Sequence, residues 1–210
     1  MIARALALTS VLAASLVSAP LAAQDSTAAQ DTPALDTPAV GAGSARLTVR
    51  PELRARVERA LLAIDSAPSA AFWQGLGAEG LAALVSVLDD ASRPVGLRRR
   101  AALALRHDRS ATSITILESL ALRAGEDELV SRNALTALTE RRGREALVVI
   151  ERALGDRRAH VREGAVLAIG TLRERGLIDG ARAAASLVRV RAREPELFVR
   201  ETIDRVLAIR

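Results

Sequence analysis

The chain has 210 residues, half of them hydrophobic, and a formal net charge of +5. That length and apolar content suffice for one domain with a sizeable core. With no cysteine there is no disulfide framework, thiolate metal site or cysteine nucleophile, and with only Phe72, Trp73 and Phe198 as aromatics the core has to be built from Ala, Leu, Val and Ile.

The N-terminus reads as an export signal. Arg4 supplies the positive start, Ala5 to Val17 form an apolar stretch, and Ser18-Ala19-Pro20-Leu21-Ala22-Ala23 adds a helix breaker and small residues. Cleavage is expected after Ala23, making residues 1–23 a signal peptide of a periplasmic or secreted protein. The stretch is short and Ala-rich against the ~20 apolar residues of a membrane span, so an uncleaved anchor is the weaker alternative. Residues 24–45 read as a disordered linker: Asp31-Thr32-Pro33-Ala34-Leu35 is echoed by Asp36-Thr37-Pro38-Ala39-Val40, and Gly41 to Ser44 follow. Such a composition buries too little surface to offset chain entropy.

Residues 46–76 are expected to form a helical lead-in. Pro51 suits the first turn of a helix ending near Ile64, Ser66-Ala67-Pro68 breaks it, and a short segment carries Phe72 and Trp73. Residues 77–210 are periodic. Four segments share an aliphatic anchor, usually an Arg after it, and apolar residues four, seven and eight positions on. The anchors Leu97, Val130, Val161 and Val199 lie 33, 31 and 38 residues apart, and each follows another helical stretch. Two helices per repeat at this period predict an all-α fold, an α-α superhelix of about four helix pairs.

The run Gly155-Asp156-Arg157-Arg158-Ala159-His160-Val161-Arg162-Glu163-Gly164-Ala165 resembles a HEAT repeat of the short bacterial kind, also called phycobilisome-lyase-type. In that family an Asp at the turn and an Arg six residues later take part in a ladder between neighbouring repeats. Asp156 and Arg162 match this pattern, and Glu194 and Arg200 match its spacing with Glu for Asp. The second repeat departs from it, with Ser131 at the Arg position, and the first has a longer turn, Asp89 to Arg98. The resemblance implies right-handed stacking of antiparallel helix pairs; it implies little about chemistry.

No catalytic constellation stands out, and no cofactor or metal is expected. His107 and His160 have no ligand-like partner at helical spacing, and Gly75-Leu76-Gly77-Ala78-Glu79-Gly80 lacks the preceding strand of a phosphate loop. The clusters Arg98-Arg99-Arg100, Arg141-Arg142 with Arg144, and Arg157-Arg158 invite a nucleic-acid reading. The export signal, the scarcity of stacking aromatics and the interspersed acids oppose it. All 30 basic residues are Arg, a bias better ascribed to GC-rich coding than to a ligand.

The expected function is therefore that of a non-catalytic scaffold binding a protein partner in the cell envelope. The alternative is a regulator or subunit of an enzyme, or a lyase-like enzyme as the family resemblance would allow. Helical geometry at 100° per residue nominates positions two, six and nine after each anchor as the open face of the second helices. The candidate partner-binding residues are Arg99, Leu103, Arg106, Arg132, Thr136, Thr139, Glu163 and Leu167. The final helix is expected to show solvent a polar side, with Glu196, Arg200 and Asp204 spaced four apart, and the chain is expected to be a monomer.

Overall fold

Several helices begin at a local sequence signal, with capping side chains at Ser69, Ser110, Asp127 and Asp179 and a proline at Pro51. The computed structural model describes residues 49–63 and 67–209, all within one compact unit, Ala45–Arg210. The expected signal peptide, linker and first residues of the lead-in lie outside the described residues. Helix α1 (Pro51–Leu62) starts on Pro51, whose missing N–H costs nothing in a first turn. Helix α2 (Ala70–Gly75) is capped by Ser69, whose Oγ accepts from the Phe72 N–H. Gly77, at φ +56°, turns the chain from α2 into α3 (Gly77–Asp89), a conformation that favours glycine.

The periodic region follows as helix pairs. Helix α4 (Val95–Ala104) continues into a 3-10 turn, Leu105–His107. Helices α5 (Ala111–Leu122) and α6 (Glu128–Arg142) are capped by Ser110 and Asp127. A second 3-10 turn, Gly143–Ala146, leads into α7 (Leu147–Ala153), and α8 (Ala159–Glu174) is the longest helix. Helices α9 (Gly180–Arg191) and α10 (Leu197–Ala208) complete the described residues, which contain no strand. The Asp179-Gly180 dipeptide is a helix start: Asp179 Oδ1 accepts from the Arg182 N–H at 2.7 Å.

Packing follows the sequence periodicity. The helices of α3/α4, α5/α6, α7/α8 and α9/α10 pack against each other, and α4, α6, α8 and α10 pack in succession. On the other side α1 lies on α3 and α5 on α7. The four anchors are buried, as are Ala101, Ala134, Ala165 and Ile203 four positions on. Leu135, Leu138, Ile150, Ile169, Leu172 and Leu187 are among the large fully buried side chains of this core; each contributes about 1.5–3 kcal/mol of apolar transfer free energy.

Small residues set the closest approaches. A Cβ on Gly164 would lie 2.8 Å from Arg132 Cγ on α6, and one on Gly170 would lie 3.0 Å from a Val206 methyl on α10. Glycine costs a helix interior about 1 kcal/mol relative to alanine, and here it permits contact on both flanks of α8. Among the described residues no helix is long and apolar enough to cross a membrane.

Candidate functional site

The turns between helices of a pair carry the strongest polar geometry. Arg162, on the first turn of α8, donates from Nε and Nη2 to the two carboxylate oxygens of Glu194, at 2.7 and 2.6 Å. Its Nη1 donates to the carbonyls of Asp156 and Arg157. Both partners are withdrawn from water, with side-chain exposures of 11% and 1%. Arg98 makes a like connection two repeats earlier. Its Nη2 meets Glu126 at 2.5 Å, its Nε donates to the Leu88 carbonyl, and the side chains are 12% and 2% exposed. Arg200 repeats the backbone half, donating to the carbonyls of Glu194 and Pro195.

Asp156 and Arg162, which the resemblance places in the ladder, do not meet through the Asp156 carboxylate. Arg162 reaches Asp156 only through its backbone oxygen. The Asp156 carboxylate accepts from the Arg158 backbone N–H and, at 2.9 and 2.8 Å, from Arg158 Nε and Nη2. Arg158 Nη1 then reaches back one repeat, to the carbonyls of Arg123 and Glu126 and to Ser131 Oγ at 3.1 Å. Ser131 itself donates to the Leu120 carbonyl. Where Ser131 replaces the usual Arg, the missing guanidinium is thus supplied by Arg158 from the following turn. Its signal in the sequence is a paired departure, an Arg absent at 131 and an extra one at 158. Glu126 is the other participant that pattern reading missed, because it stands five rather than six residues before its anchor's successor.

Electrostatics agree with the geometry. The hydrogen bond from Arg162 holds the Glu194 carboxyl below the usual carboxylate range, and that from Arg158 does the same for Asp156. Arg162 and Arg158 are correspondingly raised.

The nominated second-helix face divides into three parts. Leu103 and Arg106 border a cavity of about 260 Å³ closed by Leu61 of α1 and Trp73 of α2, so the lead-in covers this end of the face. Arg106 also lies 3.4 Å from Glu140. Arg132 and Glu163 form an ion pair at 3.1 Å between α6 and α8. Arg99 is exposed, and its carbonyl accepts from Asn133 Nδ2 on α6 at 3.0 Å. Thr136, Thr139 and Leu167 line a groove of about 410 Å³ across α6, α8 and α10, with Thr171, Arg205 and Ile209. Thr139 is not an open-face residue: it is buried, with Oγ1 bonded to the Leu135 carbonyl at 2.7 Å. The neighbouring second helices close over position nine, and for the same reason Gly170 is buried beneath Val206.

The arginine clusters are largely consumed within the fold. Arg98 is in a rung, Arg100 donates to the Leu61 carbonyl at the end of α1, and Arg142 bridges Glu118 and Glu145 at 2.7 and 2.8 Å. His107 accepts from Arg106 Nε at 3.1 Å, and burial lowers its pKa. His160 stands 3.4 Å from Glu163 and 3.9 Å from Glu128, with its ring 5.2 Å from that of Phe198. Among the described residues no group of three His, Cys, Asp or Glu is placed to hold a metal ion.

On α10 and at its N-cap, Glu196, Asp204 and Arg205 are exposed, but Arg200 and Asp204 do not pair with each other. Arg200 turns to the backbone of Glu194 and Pro195, and Asp204 pairs with Arg191 of α9. Searches with known proteins return nothing to set beside this geometry: no protein-family model matches the chain, and no curated protein matches it.

Proposed function

We propose that the chain is an exported, non-catalytic scaffold of HEAT type, whose helix pairs stack into a superhelix and whose second-helix face receives a protein partner. The observation that carries this reading is the groove across α6, α8 and α10, where half-buried Leu167 and exposed Thr136 stand over a floor of small residues. A groove crossing three successive repeats is a surface that only a stack creates. Its lining is a mixture of apolar, hydroxyl and charged groups, the composition of a polar-rimmed protein interface. The turn rungs support the repeat reading, because each ties one pair to the next at nearly the same backbone position.

Export and binding are tested in one experiment. The full chain is produced in a secreting host with a photo-crosslinking residue at 136, 167 or, as control, exposed Val148 on α7. The periplasmic product should have the mass of a chain starting at Gln24. One envelope protein should crosslink from 136 and 167, fail to crosslink from 148, and be lost with Leu167→Glu at an unlabelled position. Full-length chain retained in the cytosol would overturn the export half. Equal crosslinking from both faces would overturn the binding half.

A further inference from the structure

A second groove opens on the side of the first helices. Helix α7 has only seven residues, and α9, packed on α8 and α10, meets α7 through Arg182 and Ser186 hydrogen-bonded to Glu151. The gap between them is about 590 Å³, and the Arg162–Glu194 rung lies at one end of it. None of its lining residues belongs to the α6/α8/α10 groove.

The charges in this gap do not balance. Its two acids are already engaged, Glu194 with Arg162 and Glu151 with Arg182 at 2.5 Å. Arg189 and Arg193 also line it, are exposed, and meet no acid among the described residues. By contrast Arg191, which does not line the gap, is neutralised by Asp204. Leu154, Ala185 and Val190 provide apolar wall between the charges. Arg189 is on the last turn of α9, and Arg193 stands in the turn just past its end. Along the helix, Arg182 to Arg191 covers about 14 Å, the reach of about four extended residues.

We propose that this groove receives an extended acidic segment of a partner polypeptide, with its carboxylates facing Arg189 and Arg193. Small apolar residues between the acids fit against Leu154 and Val190. Arginine recognises carboxylates by paired donors, so the fit is chemical as well as electrostatic. The cations are stepped along a wall instead of gathered at one point, which favours a chain of carboxylates over a single phosphate. This groove and the second-helix face fail or succeed separately.

The test uses the full chain and a fluorescein-labelled peptide alternating glutamate and alanine, followed by anisotropy. Saturable binding is expected, weakened at least about tenfold by Arg189→Glu with Arg193→Glu, and lost on raising the salt to molar levels. Arg189→Gln with Arg193→Gln should give an intermediate loss, and circular dichroism should show both variants folded. Arg152→Glu, on α7 outside the groove, should leave binding unchanged. The proposal is overturned if a glutamine-for-glutamate peptide binds as well, if Arg152→Glu weakens binding as much as the double variant, or if phosphatidylglycerol vesicles bind with the same Arg189/Arg193 dependence while the peptide does not.

Discussion

Several arginines of this protein cap backbone carbonyls. A guanidinium has five donors in a rigid fork, so one side chain can hold a carboxylate and helix-end carbonyls together. Arg98, Arg158 and Arg162 all do this, and Arg173 donates to the Val206 and Leu207 carbonyls at the end of α10. Arg158 is the most heavily used, and Arg158→Ala should destabilise the fold by about 2–4 kcal/mol, because it strands a half-buried Asp156 carboxylate and two carbonyls. Arg158→Lys should recover little of the loss, since one ammonium cannot serve both the carboxylate and the carbonyls of the preceding turn; thermal melts of the two variants check this. The Arg162–Glu194 rung joins two residues that the ladder spacing singles out; the Arg98 rung is not legible that way, because the first repeat has a longer turn and Glu126 is off the spacing. Nor is the middle rung, because a pattern of fixed positions cannot reveal a guanidinium arriving from the other direction.

The acid of the last rung also sets a pH dependence. Glu194 has a folded pKa below its unfolded value of about 4.3, so its contribution is complete above that value and fades as pH falls through the lowered folded pKa. Glu194→Gln should therefore be less stable than the natural chain at neutral pH and should converge towards it in strong acid. A constant difference in melting temperature from pH 7 to pH 2 would show that the rung carries no such linkage.

At the scale of elements, close helix approach is concentrated on α8. Gly164 and Gly170 let α6 and α10 reach it from opposite flanks. Gly164→Leu should cost about 1–3 kcal/mol or more by overpacking against Arg132, outweighing the better helix propensity of leucine. A denaturant midpoint at or above that of the natural chain would contradict the close approach. Helix positions and core faces were legible because the apolar period is regular and caps such as Ser69, Ser110 and Asp179 stand where helices begin. The open face was only partly legible. A helical wheel treats one helix at a time, so it left Thr139 and Gly170 exposed, whereas adjacent second helices bury them. It also could not foresee that α1 and α2 border the cavity beside Leu103.

For the whole molecule, succession is the feature that matters. Each second helix packs on the next, and rungs join neighbouring pairs at their turns. The proposed repeat stack implies that stability is local and passes between neighbours, whereas a globule with one shared core opens as a unit. Both proposed surfaces would depend on it, the first because it crosses α6, α8 and α10 and the second because it lies between α7 and α9. The most direct measurement is hydrogen–deuterium exchange on the full chain and its Glu194→Gln variant. Loss of the last rung should raise exchange in α9, α10 and the start of α8, leaving α3 to α5 at their natural rates. An equal rise in every helix would contradict the repeat stack.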